Sequence, residues 1–261
     1  MKKIVPSYVS LLSFLLCCIV FVNVSCAQEG EQDMKPEETE VWEPVPEKVN
    51  PNGLNDKAPP SDAVVLFDGS DLDEWESAEG DGSPAEWDIS GDHVTVAPGA
   101  GSIQTRRGFG SVQLHIEWRA PEEIEGEGQG RGNSGVFLQG LYELQVLDSY
   151  NNETYSNGMA GSIYKQHIPL ANAAREPGQW QSYDIVYRAP EFKEDGSLES
   201  PARITVFWNG VLVQDDVELE GPTEYIGHPS YEAHEDKLPI ILQDHSNPVS
   251  FRNIWLRELG E

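Results

Sequence analysis

Two short stretches, far apart in the chain, hold the residue types that could do chemistry. In Gly132 to Asp148, GNSGVFLQGLYELQVLD, a strand-like run puts Glu143, Gln145 and Leu147 on one face and Tyr142, Leu144 and Val146 on the other, because side chains alternate along a strand. A carboxylate and an amide two residues apart then point into the same space, about 7 Å apart. That span suits one sugar ring or a hydrated cation. Polar outer faces are also the ordinary condition of antiparallel sheets. The neighbours argue for function here: no lysine faces the strand, and Asn133 and Ser134 precede it beside two glycines. In the second stretch, Leu238 to Leu259, the alternation places Ile241, Gln243 and His245 together and Asp244 opposite, and Pro248 ends the run. An imidazole beside Gln243, Asp244 and Asn247 suits a general base or a ligand, since a neighbouring carboxylate raises its basicity and fixes its tautomer.

These residues need β elements to hold them. Val136 to Gln139 and Tyr142 to Leu147 are β-rich runs separated by Gly140 and Leu141, the spacing of a tight hairpin. Further short β-branched or aromatic runs are Val64–Phe67, His93–Val96, Val112–Trp118, Tyr183–Tyr187, Arg203–Trp208, Val211–Asp215, Ile240–Gln243 and Phe251–Leu256. Asn209-Gly210 between two of them is a strong hairpin signal, since both turn positions need positive φ. No ten-residue stretch has helical periodicity, and no repeat of fixed period is present. The expected fold is all-β, a two-sheet sandwich or jelly roll forming a single domain over residues 63 to 261. Trp75, Trp87 and Trp180 could stack on sugar rings or simply pack the core with one hydrogen-bonding tip.

The chain has 261 residues, with 7 Trp, 9 Tyr and 8 Phe, enough for a sizeable core. Its net charge of −28, from 17 basic and 45 acidic residues, argues against nucleic acid or an anionic membrane as partner, because both would repel it. Lys2 and Lys3, an apolar stretch from Val9 to Val22 and a small-residue exit at Val24 to Ala27 make residues 1 to 27 a signal peptide. Cleavage after Ala27 would release a soluble protein; cleavage before Cys26 would leave a lipid anchor on that thiol, although Asn23 fits a lipobox poorly. Either route implies export, to the periplasm, the outer membrane or the medium, with no transmembrane span in the mature protein. All three cysteines (Cys17, Cys18, Cys26) fall in this segment, so the mature domain has no disulfide, thiolate nucleophile or cysteine metal site. Residues 28 to 62, with ten acids, three lysines and six prolines, read as a disordered tether.

Taken together, LFDGSDLDEW, GNSGVFLQGLYELQVLDSY, GSIYKQHIP, PGQWQSYDIVYRAPEF, PARITVFWNGVLVQDDVELEGPT and LQDHSNPVSFRNIWLREL resemble, in unbroken order over residues 62 to 259, the 3-keto-disaccharide hydrolase domain family. The resemblance implies a concanavalin A-like jelly roll and an exported bacterial enzyme acting on a small carbohydrate already oxidised at carbon 3. A ketone there acidifies the proton on carbon 2, so that elimination followed by addition of water can replace the oxocarbenium route of ordinary glycosidases. On that chemistry His245 is the candidate base, with Asp244 or Asp148 as its orienting partner. Glu143 is either the second acid–base group or, with Asp148 and His245, part of a divalent-cation site that polarises the ketone. Asn133, Gln145, Lys165 and Gln243 would bind hydroxyls or the enolate. Asp148 lies opposite Glu143 by strict alternation, so its participation requires the strand to end or bulge after Leu147. A carbohydrate-binding module without turnover and a conventional glycosidase using Glu143 and Asp148 are the alternatives.

Overall fold

The computed structural model describes residues 58 to 260. The expected signal peptide, Cys26 and the tether up to residue 57 lie outside the described residues. Among the described residues there is no α-helix, only 3-10 turns at Gly128–Gly130 and Ser156–Gly158, and no helix long and apolar enough to cross a membrane.

The strands are β1 (Val64–Phe67), β2 (Trp75–Ser77), β3 (Asp88–Ser90), β4 (His93–Thr95), β5 (Ile103–Thr105), β6 (Val112–Arg119), β7 (Ser134–Leu138), β8 (Tyr142–Val146), β9 (Gln181–Arg188), β10 (Glu191–Phe192), β11 (Leu198–Ser200), β12 (Arg203–Trp208), β13 (Val211–Glu218), β14 (Ile241–Leu242) and β15 (Ser250–Glu258). They form an antiparallel two-sheet sandwich. One sheet runs β13-β12-β9-β6-β15-β4-β3 with β1 on β15; the other runs β2-β5-β14-β7-β8; β10 and β11 form a separate ribbon. The Asn209-Gly210 turn forms as expected, with φ of 53° and 79°, between the paired Trp208 and Val211.

Alternation explains how the larger sheet meets the core. Along β6 the buried Val112, Leu114, Ile116 and Trp118 interleave with the more accessible Gln113, His115, Glu117 and Arg119. The inner face is dense with aromatics: Trp118, Tyr183 and Trp208 pack with centroid separations of 5.4 to 6.3 Å. Two of its tyrosines reach across the sandwich. Tyr183 Oη donates to the Gln145 carbonyl on β8, and Tyr187 Oη donates to Gln139 Oε1 in the β7–β8 turn, each at 2.8 Å. Buried hydroxyls need such partners, and here the partners fix the site-bearing hairpin to the opposite sheet. Trp75 and Trp87 belong to this core. Trp180 instead packs against the guanidinium groups of Arg119 and Arg252, 4.6 and 4.0 Å from its ring.

The outer face of the larger sheet carries a pH-sensitive cluster. His115 Nδ1 lies 2.6 Å from Asp184 Oδ1, its ring stacks on Trp255, and Glu117 is held by Arg252 and by Asn253 at the β15 bulge. Burial alone would lower the His115 pKa, but Asp184 and Glu117 outweigh it and raise the imidazole to about 9. A folded pKa above the unfolded one stabilises fully below about 6.5 and is lost as pH rises through about 9, a contribution of roughly 3 kcal/mol. Denaturant titrations at pH 6 and 9.5 should show that decline in the wild type. In H115Q the part of the decline between pH 6.5 and 9 should be much smaller; an unchanged slope would remove His115 as its source.

Candidate active site

The site lies on the face of the five-stranded sheet turned away from the core. Register places Glu143 beside Phe137, and Gln145 beside Gly135. On the other side of β7, Ile241 pairs with Phe137, and Gln243 N donates to the Gly135 carbonyl at 3.0 Å. Gly135 therefore sits between Glu143, Gln145 and Gln243 without a side chain of its own. A Cβ there would come within 2.7 Å of Glu143 Oε1 and 2.8 Å of the Phe137 ring. The glycine is needed so that the carboxyl group can lie flat over β7.

A cavity of about 620 Å³ opens over this floor, lined by Gln129, Asn133, Phe137, Glu143, Gln145, Tyr155, Tyr164, Thr223, Tyr225, Gln243 and His245. It brings together five of the residues singled out from sequence: Asn133, Glu143, Gln145, Gln243 and His245. Glu143 is 5 % exposed, and burial pushes its carboxyl up to about 8, so it is protonated at neutral pH and can donate a proton. Gln145 is fixed in orientation because its Nε2 donates to the Gly158 carbonyl and to Gln129 Oε1, each at 3.2 Å. That leaves Gln145 Oε1 buried with no partner, and Gln243 Oε1 is in the same condition. Unpaired buried acceptors are costly; facing a cavity, they are placed to accept hydroxyls from a ligand. Tyr164 Oη pairs with Tyr155 Oη at 2.7 Å, and burial, Tyr155 and Glu143 raise its pKa. The Tyr164 phenol thus stays protonated.

Beyond β14 the alternation persists although the strand stops at Leu242: Gln243 and His245 line the cavity while Asp244 turns away. Asp244 Oδ2 accepts from Gly99 N (2.7 Å) and Gly101 N (3.1 Å), and its Oδ1 accepts from Ser246 N. This carboxylate pins the backbone on which the exposed His245 stands.

Three expected site residues are directed elsewhere. β8 ends at Val146, but this does not swing Asp148 toward Glu143. Asp148 is buried against Arg131, with Oδ2 2.6 Å from Nε, and lines a separate cavity of about 380 Å³. Both acids weighed as orienting partners of His245 are thus engaged with other groups. Glu143, Asp148 and His245 do not form a common donor set, and among the described residues no three His, Cys, Asp or Glu side chains are grouped to hold a metal ion. The residues do not fit the expected cation, and we derive no step through one. Lys165, whose φ of 61° turns it out of line, stands outside the cavity lining. Its ammonium donates to the Tyr225 carbonyl and lies 4.3 Å from the Tyr225 ring and 5.5 Å from that of Tyr164, bracing the aromatic wall. That wall, with Gln129 and Thr223, comes from loops without periodicity. Its sequence signals are the motif GSIYKQHIP, which contains Tyr164, and the end of PARITVFWNGVLVQDDVELEGPT, which is Thr223.

The geometry can be set against known proteins. The model of the 3-keto-alpha-glucoside-1,2-lyase-like domain matches residues 62–257. The chain belongs to this family. A protein of Parabacteroides distasonis ATCC 8503 provisionally named a glycosyl hydrolase is 53 % identical to this lyase-like domain protein, with a TM-score of 0.83 over 88 % of this chain and 99 % of that one. Two further proteins of that organism, named in the same provisional way, share 18 % and 19 % identity with TM-scores of 0.56 and 0.50. Each covers 76 % of this chain, against 94 % and 99 % of its own, and shows the fold alone. No curated protein matches the chain. Family membership and the 53 % identical relative support a glycoside hydrolase-type function on a carbohydrate.

Proposed function

We propose that this protein cleaves 3-keto-glycosides by elimination and hydration, with His245 as base and Glu143 as acid. The single observation that carries the reading is that Glu143 on β8 and His245 in the segment after β14, distant in sequence, line one cavity with the unpaired oxygens of Gln145 and Gln243. His245 takes the proton from carbon 2; the C–H electrons form the enolate that the ketone at carbon 3 stabilises. As the enolate collapses, the bond from carbon 1 to the leaving oxygen breaks, and Glu143 supplies that oxygen with a proton. Water then adds to carbon 1, a proton returns to carbon 2, and the ketone is regenerated. The sum is one water consumed and one glycosidic bond hydrolysed. Gln145 Oε1 and Gln243 Oε1 accept ring hydroxyls, and Asn133 Nδ2, donating to the Gln129 carbonyl at 2.7 Å, holds the cavity rim.

This scheme asks for one base and one neutral acid rather than two carboxyls at a fixed separation. A conventional glycosidase built on Glu143 and Asp148 fits poorly, since Asp148 is paired with Arg131 over another cavity. Incubating the purified domain with a 3-keto-disaccharide and with its unoxidised parent tests the proposal: only the keto form should be cleaved, and solvent deuterium should appear at carbon 2. Cleavage of the parent sugar at a comparable rate would sink it, as would binding without turnover of either.

A further inference from the structure

The face of the five-stranded sheet continues past the site. Register aligns Glu143, Phe137, Ile241, Gln104 and Glu76 in one row across β8, β7, β14, β5 and β2. Over the middle of that row is a second cavity, about 350 Å³, lined by Ala78, Glu79, Ser102, Phe137, Gly140, Ile241 and Gln243. It shares Phe137 and Gln243 with the main cavity, so the two adjoin along the sheet. The cavity at Asp148 shares none of the main lining. At the junction stand a half-buried aromatic ring and the unpaired Gln243 Oε1. Beyond it the lining mixes aliphatic Ile241 and Ala78 with the polar groups of Ser102 and Glu79. That mixture matches a pyranose, which offers a C–H face to apolar side chains and hydroxyls at its edge.

We propose that this second cavity seats the leaving sugar, with Phe137 as the ridge between the two rings and Gln243 accepting a hydroxyl where they meet. The assignment rests on the reaction proposed above, which puts the oxidised ring over Glu143 and His245. The half-buried neighbours of Phe137 in the second cavity then meet the unit attached through carbon 1. The protein selects a sugar as its leaving group rather than merely tolerating one.

The test fills the second cavity while sparing the first. In A78W, kcat/KM on a 3-keto-disaccharide should fall at least tenfold, while kcat/KM on the methyl 3-keto-glucoside, which has no second ring, stays within twofold of wild type. I241A, which also lines only the second cavity, serves if A78W does not fold; it should lower the disaccharide value alone. Equal losses on both substrates, or no loss on either, would overturn the assignment. Should the wild type cleave neither substrate, the reaction has failed but the pocket has not: calorimetric titration with the same two sugars then decides. Disaccharide binding weakened in A78W with monosaccharide binding retained upholds the pocket, and parallel changes reject it.

Discussion

E143Q should lose turnover by about 10³-fold on a 3-keto-disaccharide, within the range expected when a positioned general acid is removed, while still binding the sugar. The amide keeps the shape of the carboxyl and cannot supply the leaving oxygen with a proton. The same variant should gain stability at alkaline pH. Burial raises the Glu143 carboxyl from 4.5 to about 8 in the folded protein, so the folded state holds its proton more tightly than the unfolded chain. Stability from this group is therefore complete below pH 4.5 and lost as pH rises through about 8, by at most about 5 kcal/mol. E143Q should match the wild type near pH 4, exceed it in unfolding temperature at pH 9, and remove the alkaline fall in wild-type activity. A variant that keeps a tenth of the activity, or that is no more stable at pH 9 than the wild type, contradicts the assignment of Glu143 as a buried neutral acid.

H245A should be nearly as damaging to catalysis, about 10² to 10⁴-fold, yet almost silent in unfolding. The side chain is exposed, and its segment is fixed by Asp244 and by the Ser134 hydroxyl donating to the Gln243 carbonyl at 2.7 Å. Surface substitutions away from packing or caps cost within about 0.5 kcal/mol, so the melting temperature should move by no more than a degree or two. Free imidazole should restore part of the rate, because the missing function is a base and the space it occupied opens to solvent. A large stability loss, or full activity in the variant, would show that His245 is not that base.

How much of this was legible in the chain depended on periodicity. Arg203–Trp208 was readable to the residue because five residues of strong β preference follow Arg203 and end at Asn-Gly. The short strands β2, β3, β5, β10 and β11 were missed, since no alternation can be established over so short a run, and the expected strand Ile240–Gln243 exceeds β14 by one residue at each end. The period of two located Glu143 with Gln145 and Gln243 with His245 on the correct face. It could not locate Tyr155, Tyr164, Thr223 or Tyr225, which arrive on loops shaped by tertiary hydrogen bonds. Asp148 was misplaced for a related reason. Past Val146 its direction is set by Arg131, a partner 17 positions away that no local pattern announces. Lys165 was misread because a left-handed backbone, rare for lysine, carries its ammonium behind the wall.

The cavity thus has two kinds of boundary. Its floor is hydrogen-bonded sheet fastened to the opposite layer by Tyr183, while much of its wall depends on Tyr225, 71 % exposed, whose carbonyl accepts from Lys165 on a segment that Thr223 ties to Leu141 and to Glu143 N. On the proposed chemistry, changes confined to Glu224, Tyr225 and Ile226 would reshape the wall while Thr223 still accepts from Glu143 N and the floor stays tied to the opposite sheet. Engineering new selectivity should begin with the residues flanking Tyr225 and leave β7 and β8 untouched.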